Sequence, residues 1–163
     1  MPIGRSTLAL ALAVLFAAAP TAAAPTGVRV EEARRGAVTL AETTSRVDPG
    51  ATRLGDVLPL LREDAAAAIA AVDWTNLRLA RRYGVAATVV RLSTERTDRA
   101  AASTCVVTAA VRELDTGNLL FVVEGRARAE DSPSAAARAE RDALRAAVER
   151  AVAAVPEGLK RSR

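Results

Sequence analysis

The segment 103–129 constrains the fold more strongly than any other part of the chain. Apolar and polar side chains alternate there on both sides of Asp115-Thr116-Gly117. Such alternation is typical of two half-buried antiparallel strands, and the triplet is typical of a tight turn with glycine in the left-handed conformation. A three-residue loop places Val111 opposite Phe121, whereas a longer or shorter loop would set apolar side chains against polar ones. The sequence therefore predicts a β-hairpin together with its register.

Apolar residues with helical spacing precede and follow this hairpin. The first set, which includes Leu58, Leu61 and Ile69, predicts a helix over 54–72. Asp56 is its expected N-cap, and Pro59 falls in its first turn. The second set predicts a helix over 133–155, whose apolar stripe is Ala137, Leu144, Val148, Val152 and Val155. We predict an α+β fold: a three- or four-stranded antiparallel sheet, with the hairpin 103–129 at its centre, packed against these two helices.

The remaining segments carry weaker signals. Residues 82–94 are rich in β-branched side chains and predict a further strand. Residues 74–83 fit either a short helix or a loop. For the N-terminal segment 24–50, the sequence leaves two alternatives: a short strand over 37–43 or a flexible tail. We place the domain at 51–156 and expect 157–163 to be a basic disordered tail.

The first 23 residues have the composition of a secretory signal peptide. Arg5 precedes an apolar run over 8–19, and small residues follow at 21–24. The run is shorter than the roughly 20 residues that cross a bilayer as a helix. We therefore expect cleavage after Ala23, no transmembrane segment after cleavage, and a periplasmic or secreted bacterial protein.

Composition excludes several kinds of chemistry. The chain has no histidine and one cysteine, Cys105. This excludes histidine-based triads, the usual zinc sites and an internal disulfide. The formal net charge of +4 is modest and aromatic residues make up 2% of the chain, so nucleic acid is a disfavoured partner. We expect no cofactor.

Four arginines are the candidate binding residues. Arg112, Arg126 and Arg128 are predicted to share the outer face of the hairpin, and Arg91 is expected to join them. Such a face would suit an anionic wall polymer, a lipid headgroup or an acidic protein. The alternative is a solvated sheet face whose charge Glu124 balances.

The other reactive side chains have structural explanations. Cys105 is predicted to face inward across from Ala127, where cysteine behaves as a small apolar group; an exposed thiol that pairs with a partner chain is the alternative. Adjacent carboxylates at Glu31-Glu32, Glu63-Asp64 and Glu130-Asp131 fit solvated surface, not a glycosidase cleft. The Asp-Thr-Gly triplet resembles that of aspartic proteases, yet turn chemistry accounts for it and no second copy exists.

The phrase VRELDTGNLLFVVEGRA, within the predicted order of helix, strands, glycine turn, strand and helix, resembles the sheet-and-helix domain of bacterial envelope lipoproteins. The curli-secretion and penicillin-binding-protein-activator lipoproteins are of this type. The resemblance covers about residues 54–155, and it departs at the leader, which has no lipid-anchor cysteine. It implies a small module that binds an envelope protein.

These observations favour a non-enzymatic periplasmic or secreted binding module that uses its sheet edge or its arginine face. An inhibitor of a secreted hydrolase is one alternative. A hydrolase that works through carboxylates or a metal held by oxygen ligands is another, although no spacing in the sequence supports it.

Overall fold

The computed structural model describes residues 37–162, so the predicted leader lies outside the described residues. Within this range the strands are β1 (Val38–Ser45), β2 (Tyr83–Arg96), β3 (Ala101–Glu113) and β4 (Leu119–Asp131). The helices are α1 (Leu58–Ala71), α2 (Ala136–Ala153) and α3 (Val155–Arg161). Short 3₁₀ turns occupy Pro49–Ala51, Thr75–Leu77 and Pro133–Ala135. The α+β class is confirmed.

The described strands form one sheet in the order β1-β2-β3-β4. β2, β3 and β4 pair antiparallel, whereas β1 pairs parallel to β2. The sheet is therefore mixed. The segment that joins β1 to β2 contains α1 and returns the chain to the starting end of the sheet, so that both strands run in the same direction. β3 is central, and β4, the second strand of the predicted hairpin, forms an edge. β1 coincides with the short strand that was one alternative for 37–43.

The register of the hairpin is confirmed. Val111 pairs with Phe121 and Cys105 with Ala127. Gly117 has φ of 73°, in the left-handed region that the turn requires. A bulge next to the turn pairs Arg112 with Leu119. Strict alternation from Phe121 predicts that Leu119 faces inward, but because of the bulge Leu119 is 54% exposed on the outer face.

Both predicted helices are present, with different bounds. α1 begins at Leu58 instead of 54, where the Asp56 carboxylate accepts the Leu58 backbone N–H at 2.9 Å. Pro59 occupies its first turn, as predicted. α2 begins at Ala136, after a 3₁₀ turn. Ala137, which was predicted to lie on the apolar stripe of this helix, is exposed. The buried face of α2 instead begins with Ala136, Ala139 and Ala143.

The predicted disordered tail over 157–163 is wrong for residues 157–161, which belong to α3. Pro156 lies in the first turn of α3, where its missing N–H breaks no helical bond. Leu159 is buried in the core, and a Cβ at Gly158 would overlap the Phe121 ring. Apolar burial against Phe121 therefore orders this segment despite its basic composition.

The core is built largely from small side chains. α2 packs on β3 and β4 through alanines, and α1 packs on β1 and α2. At Gly125 the helix approaches so closely that a Cβ would lie 2.5 Å from the Ala151 backbone nitrogen. The helices thereby cover one face of the sheet, and the opposite face carries the side chains that alternate with the core residues.

Candidate functional site

The free side of β1 is the first candidate surface. Within residues 37–162 β1 pairs only with β2, so its other edge has no strand partner there. The Ala37 carbonyl accepts from the Tyr83 N–H at 2.7 Å, and the Arg46 N–H donates to Val89 at 2.9 Å. Because successive residues of a strand point their backbone groups to opposite sides, Val38 and Leu40 direct theirs to the free edge. Val38 is buried there, and Leu40 is half-buried. A bulge after Leu40 divides the strand into two halves.

A cleft of about 710 Å³ lies beside the first half of β1. Val38 and Leu40 form one wall, and Ala66, Ile69 and Ala70 of α1 form the other. Trp74 closes one end, where its indole N–H donates to the Ile69 carbonyl at 3.0 Å. The alanines of α1 leave this space open because a methyl group reaches only a short distance from the helix. The cleft is thus an apolar channel next to unpaired backbone groups.

The charges near this channel are mainly acidic. Asp73 lines the cleft, and hydrogen bonds from Thr75 lower the pKa of its carboxyl group. A second, adjoining cleft beside Thr43 is bordered by Asp56, Glu63 and Arg62. Among the residues that line these two clefts, three are acidic and one is basic. This side suits a positively charged ligand.

The structure brings together three of the four candidate arginines. Arg91 and Arg126 flank Val106 in one row across the outer face, about 10 Å apart at the strand spacing. Arg128 is two residues further along β4 on the same face. Arg112 lies six residues from Val106 along β3, about 20 Å away, beside Leu119. All four are exposed.

Acidic residues accompany these arginines on the outer face. Arg126 forms an ion pair with Glu124, and this pair raises the pKa of the Arg126 guanidinium. Glu95 and Glu130 occupy the row beyond Arg128, on either side of Ala102. The outer face therefore carries both signs of charge, which weakens its attraction for a purely anionic polymer.

Cys105 is fully buried, and burial raises the pKa of its thiol to about 12. The inward position is as predicted. Of the carboxylate pairs, Glu31-Glu32 lies outside the described residues, and Glu130 and Glu63 are exposed. Asp64 was expected at the solvated surface but is buried: its carboxylate accepts two hydrogen bonds from Arg141, one of them at 2.8 Å from Nη2. Asp64 lies three residues after Leu61, at the border of the apolar stripe, so α2 covers it.

Two further carboxylates, those of Glu140 and Glu113, are buried, although neither was predicted to be. Glu140 accepts from the Arg53 backbone N–H and from the Thr94 hydroxyl, both at 2.8 Å. Glu140 lies four residues before Leu144, on the apolar stripe of α2, and this spacing could have indicated that its side chain is buried. Glu113 accepts from Arg81, which is 32 residues away, and no local pattern indicates this pair.

No group of three metal-ligating side chains occurs among residues 37–162. Over the same range, no helix is both long enough and apolar enough to span a bilayer.

No family model and no curated protein matches this sequence. Comparison with solved structures does find similar chains. The protein XCC0632 from Xanthomonas campestris, of the family DUF330, has a TM-score of 0.53 at 14% identity over 76% of this chain and 85% of its own. An inferred lipoprotein from Caulobacter crescentus has a TM-score of 0.43 at 18% identity, over 81% of this chain and 93% of its own. The hypothetical protein CT253 from Chlamydia trachomatis has a TM-score of 0.47 at 10% identity, over 77% and 99%.

At these identities the similarity to XCC0632 shows a shared fold and nothing more. One of the similar structures is described as a lipoprotein. The more specific resemblance to curli-secretion or penicillin-binding-protein-activator lipoproteins stays a prediction.

Proposed function

We propose that this protein is an exported, non-enzymatic binding module that captures an extended segment of a partner protein at the free edge of β1. Export rests on the predicted leader at 1–23. The single observation that carries the binding role is the apolar cleft beside unpaired backbone groups of β1. This combination is what strand addition requires: backbone hydrogen bonds supply affinity, and side-chain pockets supply specificity.

The geometry supports one kind of bound segment. Its backbone would pair with β1 at Leu40, because Val38 is buried, and alternate side chains would enter the cleft between β1 and α1. The cleft volume of about 710 Å³ accommodates one or two medium-sized apolar side chains. Because Asp56, Glu63 and Asp73 border this side, the flanking residues of the segment should be lysine or arginine. The partner is therefore an extended, basic segment with apolar residues at alternate positions.

Selection from a phage-displayed library of random peptides of about nine residues tests this proposal. We expect enrichment of peptides that alternate apolar residues with lysine or arginine. Ala66→Phe fills the cleft from an exposed position of α1 and should weaken binding of the selected peptides about tenfold or more.

Ala67→Phe is the matched control, because Ala67 is also exposed on α1 but lines the groove toward α2. It should leave affinity within about twofold of the original. Failure to enrich any motif, or equal loss with both variants, would contradict strand addition at β1.

The cluster of Arg91, Arg126 and Arg128 supports a second candidate surface, since the guanidinium groups of Arg91 and Arg128 have no hydrogen-bond or ion-pair partner within residues 37–162. An acidic partner segment would suit it. The same selection separates the two surfaces. Acidic peptides that are lost on the double change Arg126→Glu and Arg128→Glu, and kept on Ala66→Phe, would assign binding to the arginines.

A further inference from the structure

A separate cleft of about 410 Å³ opens at the end of the sheet where β3 turns into β4. Its volume is within the range of small-molecule sites. The residues that line it include two arginines, a tyrosine, a glutamate, a leucine and a serine: Arg78, Arg81, Tyr83, Glu113, Leu120 and Ser162. We call this cleft the Arg78 pocket.

Arg81 is held in a fixed position in this pocket. Its Nη1 donates to both carboxylate oxygens of Glu113, at 2.7 and 2.8 Å. The Glu113 side chain is 6% exposed, and the Thr116 hydroxyl donates to it at 3.0 Å. Both contacts to Glu113 use Nη1, so Nε and Nη2 of Arg81 have no partner within residues 37–162. A buried carboxylate thus anchors one side of a guanidinium whose other side is available to a ligand.

Arg78 adopts a conformation that its side chain disfavours. It follows the 3₁₀ turn Thr75–Leu77 with φ of 22° and ψ of 49°. Among the described residues it is the one non-glycine with positive φ. Its guanidinium forms no hydrogen bond or ion pair with any described residue. Strained backbone that positions an unpaired charge at a cleft is characteristic of ligand sites.

Tyr83 and Leu120 complete the pocket. The Tyr83 ring is buried, and its hydroxyl has no hydrogen-bond partner within the described part of the chain. Leu120 supplies an apolar wall. Because Arg81 balances the charge of Glu113, the described residues that line the pocket have a net positive charge from Arg78. The donors of Arg78, Arg81 and Tyr83 therefore surround a space that has one apolar side.

We infer that the Arg78 pocket binds a small ligand that carries an oxyanion, a phosphate or a carboxylate, on a compact apolar body. The oxyanion would accept hydrogen bonds from Arg78, Arg81 and the Tyr83 hydroxyl, since guanidinium groups are well matched to oxyanions. The apolar body would contact Leu120. This site is independent of the proposed peptide site at β1, so the two inferences succeed or fail separately.

Titration of the folded chain with phenyl phosphate, followed by amide NMR shifts, tests the inference. We expect saturable shifts at residues 78–83, 113, 120 and 162, and none at Arg91 or Arg128. Phenol, which lacks the oxyanion, should cause no saturable shift. Shifts spread over all exposed arginines, or an absence of saturation, would overturn the inference.

Arg78→Asn removes the charge at a residue type that tolerates the left-handed conformation. It should raise the Kd for phenyl phosphate about tenfold or more. Arg78→Gly should weaken binding equally while raising the Tm, because glycine relieves the strain. Arg99→Asn removes an exposed arginine of the loop between β2 and β3 and should leave the Kd within about twofold. Equal weakening by Arg99→Asn would show general charge attraction and would refute the site.

Co-sedimentation with vesicles identifies the source of the oxyanion. Binding to phosphatidylglycerol vesicles that exceeds binding to phosphatidylcholine vesicles and depends on Arg78 would identify a lipid headgroup. Binding of phenyl phosphate without vesicle binding would identify a soluble ligand. Either result supports the inference when phenyl phosphate also binds saturably, and absence of that saturable binding overturns the inference.

Discussion

Burial controls the chemistry of individual residues in this protein, and Cys105 shows the effect most directly. The thiol lies in the core opposite Ala127, and removal from water disfavours the thiolate, which raises its pKa to about 12. Because the thiolate is the reactive form, this residue is inert as a nucleophile in the native fold.

We expect native Cys105 to resist thiol labelling. At pH 8, four units below a pKa of about 12, about one thiol in ten thousand is ionised. Ellman's reagent should therefore react with the native protein only as fast as the protein opens, and rapidly in urea. Rapid reaction of the native protein would contradict burial of Cys105.

At the scale of elements, the contact between α2 and β4 depends on the absence of a side chain at Gly125. A Cβ there would overlap the Ala147 carbonyl oxygen and lie 2.5 Å from the Ala151 nitrogen. Neither contact can relax by rotation of a side chain, because both atoms belong to the helix backbone. The alanine-rich face of α2 and this glycine together permit the close approach of helix and sheet.

Gly125→Ala should therefore destabilise the protein by about 1–3 kcal/mol, as overpacking does. Urea unfolding monitored by circular dichroism measures the change. Gly50→Ala is the control, because a Cβ at Gly50 has its nearest contact at 3.4 Å, and it should change stability by less than about 0.5 kcal/mol. Equal effects of the two substitutions would show that the helix does not pack closely at Gly125.

At the scale of the whole molecule, one ion pair connects α1 to α2. Arg141 binds both carboxylate oxygens of Asp64, and these bonds raise the pKa of the guanidinium. Asp64 is 8% exposed, so its carboxylate depends on Arg141 to replace its lost hydration. The pair thereby couples the helix beside the β1 cleft to the helix that covers the centre of the sheet.

Asp64→Ala should cost about 3 kcal/mol, since it leaves Arg141 partly buried without its partner. The double change Asp64→Leu and Arg141→Met replaces the pair by apolar groups and should recover most of that loss. Urea unfolding of the single and double variants provides the comparison. A single variant as stable as the original protein would show that the pair contributes nothing to stability.

The sequence by itself determined the hairpin, its register and the approximate positions of α1 and α2. These features depend on local periodicity: alternation around Gly117 indicates which side chains face inward, and the spacing of apolar residues indicates a helix face. The same alternation predicts that Cys105 lies in the core. It failed at Leu119, where a bulge beside the turn reverses the faces.

Three features depended on tertiary structure alone. They are the direction of β1, the formation of helix α3 by the C-terminal residues, and the presence of the β1 cleft and the Arg78 pocket. The β1 cleft exists because α1 crosses from β1 to β2 and presents alanines there, and the Arg78 pocket exists because Glu113 meets Arg81 from 32 residues away. Local periodicity records whether a side chain faces inward, but which distant residue covers it depends on how the elements pack. For that reason the candidate arginines and a sheet edge could be named from the sequence, whereas the residues that line the β1 cleft and the Arg78 pocket could not.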